Sequence, residues 1–154
     1  MATLTIVDLA AAALRLMGVL WVVGGLMLMR ELRRNAQLDS IIETLDKLAE
    51  DASRPNAPDW ADAGRDRWLF AGGVLTIASG VAMALASRFA VPLLAGSIVH
   101  QLLYFVRQRR RELRAPTPEA AAAERPTAHT VNGFFMALAM AVLAAWLYHA
   151  GRLH

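Results

Sequence analysis

The chain has no cysteine among its 154 residues, which excludes disulfides, thiolate metal sites and thiol chemistry and leaves the redox compartment unreadable from this source. Lysine is nearly absent too. Lys47 is the only one, so arginine carries almost all the positive charge. That usage, with abundant alanine, fits a high-GC bacterial genome. Charge of either sign is thin, at 19% of residues against 56% hydrophobic, and the mean hydropathy of +0.38 is too high for a soluble domain of this length. Carboxylates are missing from the apolar stretches except for Asp8 at a margin, which argues against a proton-coupled transporter. No Ser/His/Asp set, phosphate loop or paired intramembrane carboxylate points to an enzyme. The net charge of +3 does not imply nucleic acid, because the arginines flank apolar runs instead of covering a soluble face. The start, MATLTIVDLAAAALRLMG, lacks the basic n-region of a secretory signal, and Arg15 interrupts its apolar part, so it reads as mature protein.

What the chain does have is four apolar stretches, each near the roughly 17–25 residues of helix that cross a hydrocarbon core. They run from about Leu9 to Met29, Leu69 to Ala86, Phe89 to Val106 and Val131 to His149. Alternating strands of a barrel are not visible. The expected fold is an all-α, polytopic, four-helix up-and-down membrane bundle with cytoplasmic helical extensions. The second and third spans should form a tight hairpin around Ser87 and Arg88, with Pro92 tolerated in the first turn of the third.

Arginines fix the expected orientation. Residues 30–68 carry Arg30, Arg33, Arg34, Lys47, Arg54, Arg65 and Arg67, and residues 107–130 carry Arg107, Arg109, Arg110, Arg111, Arg114 and Arg125. The other side has only Arg88 and Arg152, with Arg15 a short way into the first span. Lys and Arg near span ends resist translocation, so both long connections should be cytoplasmic and both termini outside, in a bacterial inner membrane. Trp68, Tyr104 and Phe134 then fall near the inner interface, and Phe89, Trp146 and Tyr148 near the outer one.

Residues 36–53 read as an amphipathic helix, with Leu38, Ile41, Ile42, Leu45 and Leu48 at helical spacing and acids on the opposite face. Those acids disfavour adsorption to an anionic leaflet, so pairing with protein is expected, either with the basic extension RQRRREL of the third helix or with another chain. No proline separates this stretch from the first span, and the spacing alone does not decide whether that helix runs on or breaks near Asn35. Residues 115–128 read as a flexible linker.

Small residues recur at helix-packing intervals: Gly72, Thr76, Gly80 and Ala84 in the second span, Gly133, Ala137, Ala141 and Ala145 in the fourth, and Ala11, Gly18 and Gly25 in the first. Such seams let helix backbones approach within one bundle, a homo-oligomer or a complex with another membrane protein. Polar residues inside the spans are few. Arg15 is expected to snorkel outward toward Asp8 or lipid headgroups, and His100, with Ser97, Gln101 and Tyr104 as helical neighbours, to act as polar glue between helices. Ser97 and Gln101, with Thr76 and Ser79, are also the only lining candidates for an oligomeric channel or transporter. In the expected topology His129, Asn132, Met136, Met27 and Met29 share the inner half of the membrane with His100, and imidazole and thioether ligands suit haem iron or copper. No cofactor is expected on the leading reading; haem b or copper is the alternative, held by His100 with His129, Met27 or Met136.

The stretch WVVGGL at Trp21–Leu26, followed by Arg30, and His100 ahead of RQRRR give a layout that resembles the CopD-type copper proteins and HemJ-type protoporphyrinogen oxidases. The resemblance implies a small helical bundle with a haem or copper role for His100. The chain departs from that pattern in having DLAAAALRL where those families carry an early histidine in the first helix. The leading functional expectation is a non-catalytic subunit or scaffold of a membrane complex.

Overall fold

A computed structural model describes residues 5–49 and 60–154, and no strand occurs among them. The helices are α1 (Ile6–Ala49), α2 (Trp60–Ala84), α3 (Ala90–Arg114), the short α4 (Pro118–Ala123) and α5 (Ala128–His149). Four of them are long and apolar enough to cross a membrane. At most 28% of the residues in any of the four apolar windows are buried inside the protein, so the bundle turns most of its apolar surface outward, the reverse of a water-soluble fold.

Helix ends follow from local chemistry. Thr5 caps α1: its hydroxyl and amide both donate to the Asp8 carboxylate, at 2.5 and 3.2 Å, while the Asp8 amide donates back to the Thr5 hydroxyl at 3.3 Å. This reciprocal arrangement satisfies donors that the first helical turn leaves without partners. Thr127 caps α5 in the same manner through the Thr130 amide. At its other end α2 stops because Ala86 takes a φ of +50°, and the Ser87 and Ala86 amides fold back onto the Ala82 and Met83 carbonyls. Gly151, at φ +70°, ends α5 with the same pair of bonds, from the Arg152 and Gly151 amides to the Leu147 and Tyr148 carbonyls. Glycine suits that backbone; for Ala86 it costs about 1–2 kcal/mol. The following residues of the two turns then join: the His154 amide donates to the Ala86 carbonyl at 3.1 Å and the Arg88 amide to the His154 carbonyl at 2.8 Å.

The four long helices form a ring in the order α1, α2, α3, α5, each packed on the next and α5 closing on α1. Neighbours are antiparallel. Along α1 and α2, Gly18 meets Gly80 and Ala84, Gly25 meets Ile77, and Met29 meets Gly73; along α2 and α3, Leu75 meets Gly96 and Trp68 meets His100. The buried apolar cluster gathers Leu14, Met83, Ala86, Ala90, Leu94, Ala144, Leu147 and Leu153, all toward the end that carries the α2–α3 turn and residues 151–154. Asp8 and Arg152 close that end with an ion pair at 3.1 Å. Asp8 therefore takes Arg152 in place of Arg15, whose side chain is exposed on α1.

Residues 115–128, read from sequence as a flexible linker, contain α4, and Glu112 at the end of α3 binds both Arg109 at 2.6 Å and Arg125 at 3.1 Å. The first helix runs unbroken through the amphipathic stretch to Ala49; its side chains over residues 38–49, including Leu38, Ile41, Leu45 and Leu48, and all of residues 50–59 lie outside the described residues.

A side chain on Gly18 would collide with main chain. A Cβ there would meet the Ala84 amide nitrogen and lie 2.7 Å from the Gly80 carbonyl oxygen, and one on Gly80 would lie 2.8 Å from the Val22 nitrogen. Gly24, one helical step from Gly25, has nothing within 4 Å. Gly18→Ala is therefore expected to destabilise the protein by about 1–3 kcal/mol, and Gly24→Ala to stay within about 0.5 kcal/mol of the parent. Unfolding titrations in mixed micelles measure both; equal effects would show that α1 and α2 do not approach through this seam.

Candidate functional site

Near the arginine-rich end, α2 and α3 are held together by rings. Trp68 stacks on His100 with centroids 4.4 Å apart and planes inclined by 16°, and the guanidinium of Arg107 lies 5.0 Å from the Trp68 ring centre. His100 and Arg107 are seven residues apart, two helical turns, and so share a face of α3 about 10 Å apart along the axis. Trp68 lies between them. The imidazole comes this close because α2 offers glycine opposite it: a Cβ on Gly72 would lie 2.8 Å from His100 Cε1. The spacing that suggested a packing seam at Gly72 thus also makes room for His100.

The polar atoms around this stack are enclosed and unmatched. Trp68 Nε1, His100 Nε2, Gln101 Oε1 and Gln108 Oε1 are all buried without a hydrogen-bond partner. A buried donor or acceptor left unmade costs about 1–3 kcal/mol, and all four found among the described residues belong to Trp68 or to residues 100–108 of α3. Three hydroxyls within the apolar helices are instead satisfied locally. Ser97 donates to the Leu93 carbonyl at 3.1 Å, Thr76 to the Gly72 carbonyl at 2.8 Å and Ser79 to the Thr76 carbonyl at 2.9 Å, each within its own helix.

The remaining sequence-derived candidates spread apart. Met27 is 67% and Met136 41% exposed, facing outward from α1 and α5, and His129 is exposed at the start of α5. Among the described residues no three His, Asp or Glu side chains converge as a metal site would require. Gly18, Gly25 and Gly80 line the α1–α2 contact. Gly133 has open space around it, although Ala137 one turn on is fully buried. Beyond the stack, Phe105 meets Phe134 edge-on with centroids 5.5 Å apart and joins α3 to α5.

Two participants went unrecognised in the sequence, Arg107 as a ring partner and Gln108 as a buried polar group. A repeat could have revealed them: His100–Gln101 recurs as Arg107–Gln108 after seven residues, which places both pairs on one side of the helix.

Gly72→Ala pushes directly on the imidazole. The yielding atom is the end of a side chain, so the substitution is expected to unstack His100 from Trp68 while costing less stability than Gly18→Ala. Near-ultraviolet circular dichroism in micelles reports the stack; an unchanged tryptophan signature would contradict the packing described. Comparison with protein-family models, curated proteins and solved structures finds no match to this chain.

Proposed function

We propose that the protein is a four-span integral membrane protein that serves as a non-catalytic subunit or scaffold of a larger or homo-oligomeric membrane complex. In this reading the arginine-rich end and the extension of α1 are cytoplasmic, both termini lie outside, and the composition suits a bacterial inner membrane. The observation that carries the reading is the unbroken course of α1. Its apolar run ends at Met29, before Arg30, yet the helix continues to Ala49. Twenty further residues (49 − 29) project it about 30 Å beyond that run. Along that stretch the sequence repeats Leu38, Ile41, Leu45 and Leu48 at helical spacing, and the acids interleaved with them disfavour an anionic leaflet, which favours a protein groove as the occupant.

A haem b or copper role for His100 draws on its unbonded Nε2. The outward-facing Met27 and Met136 and the exposed His129 offer it no second ligand, so the scaffold reading stands ahead. The channel reading is weakened by the hydroxyls of Ser97 and Thr76, which are turned onto their own helices.

Gentle purification from the native membrane should recover a complex by native mass measurement. The double substitution Ile41→Asp with Leu45→Asp is expected to reduce co-purifying partner or self-association at least about tenfold without lowering membrane abundance. A lone wild-type monomer, or a complex indifferent to the substitution, contradicts the proposal; a Soret band or stoichiometric copper would favour the His100 reading.

A further inference from the structure

The interior of the bundle changes character along its length. Toward the α2–α3 turn it is closed and apolar, filled by Leu14, Met83, Leu94, Ala144 and Leu147, all fully buried. Toward the arginine-rich end, beside the Phe105–Phe134 contact, polar atoms are enclosed as well: Trp68 Nε1, His100 Nε2, Gln101 Oε1 and Gln108 Oε1, without partners. Three of these belong to α3 over nine consecutive residues, and the fourth is on the ring wedged between His100 and Arg107. The α3 residues that carry them, read as a string from Gln108 to His100, span about 12 Å along the helix axis. It ends one turn from Ser97, where the interior becomes apolar.

We propose that this half of the bundle holds a column of ordered water, drawn from the aqueous phase at the arginine-rich end and stopped beyond His100 by the apolar cluster. The chemistry of the string selects water over a charged ligand. An indole N–H only donates, an amide oxygen only accepts, and an imidazole nitrogen does either according to its tautomer. One molecule that both donates and accepts satisfies all of them in sequence, whichever way the two amides are turned. The cation on the His100 face of α3, Arg107, already faces the Trp68 ring and leaves no strong demand for an anion. Ser97 and Ser79 spend their protons on their own helices, so their oxygens remain free to accept from the innermost water. His100 is thereby an ionisable group in contact with water at one membrane face only.

The absence of cysteine makes accessibility a direct test. In sealed vesicles, single substitutions Gln108→Cys, Gln101→Cys and Met83→Cys are exposed to a small, membrane-impermeant thiol reagent, with Arg114→Cys and Ala150→Cys reporting which end faces outward. Gln108→Cys and Gln101→Cys are expected to react only from the end that labels Arg114→Cys, at least about tenfold faster than Met83→Cys, which stays protected from both sides. Gln101→Cys reacting no faster than Met83→Cys, or equally from both faces, overturns the proposal. The sidedness controls separate this outcome from an inverted orientation of the bundle. Water-edited solid-state NMR on the unsubstituted protein in bilayers gives an independent reading: magnetisation from water should reach the His100 and Trp68 side chains and not the Met83 methyl, and no transfer to His100 overturns the column.

Discussion

The architecture depends on how closely two backbones can approach at the crossing of α1 and α2. Helices in hydrocarbon gain no hydrophobic free energy by associating, so in a bilayer van der Waals contact of main chain with main chain is what would hold these two together. Gly18 and Gly80 provide it: each stands where a side chain would strike the other helix's backbone, and Gly25 and Gly73 continue the contact against Ile77 and Met29. With α1 and α2 set in this antiparallel register, the turn after α2 returns α3 along its other side, and α5 closes the ring.

The two ends of the bundle are then built on opposite principles. One is sealed: the turns at Ala86 and Gly151 hydrogen-bond to each other through His154, Leu153 is buried in the apolar cluster, and Asp8 reaches Arg152. The exposed ion pair adds only about 0–1 kcal/mol; apolar packing and backbone bonds do most of the sealing. The other end carries the arginines, the stacked Trp68 and His100, and polar atoms that the protein alone does not satisfy. Apolar contacts hold the shape at the sealed end, and polar groups at the far end are free to meet water or a ligand.

Much of the fold was legible because hydropathy is a local property. The four spans, the tight hairpin at Ser87 and Arg88 and the glycine steps along α1 and α2 follow from residues within a turn or two of one another. The partners of those residues were not legible. Gly80 and Gly133 have equivalent spacing, yet one meets a backbone and the other faces open space, because spacing fixes a face of a helix and not what lies opposite it. Arg15 is nearer to Asp8 in sequence than Arg152 is, but the return of α5 beside α1 delivers Arg152. For the candidate site, the polar face around His100 was visible, while its stack on Trp68 depends on the register between α2 and α3, which the opening at Gly72 sets. The continuity of α1 past Arg34 was undecidable from a stretch that has no proline to end it but offers Asn35 as a place to break.

The most direct measurement is of the glycine crossing itself, in a bilayer. Solid-state NMR of protein carrying carbon-13 only in its glycines has few signals, and Gly18 and Gly80 are far apart in sequence, so a correlation between them arises only through space. The account predicts a cross-peak between the Gly18 carbonyl carbon and the Gly80 α-carbon at short mixing times. Its absence, under conditions where the neighbouring pairs Gly24–Gly25 and Gly72–Gly73 are seen together with other short contacts, would contradict the packing from which the rest of the structure follows.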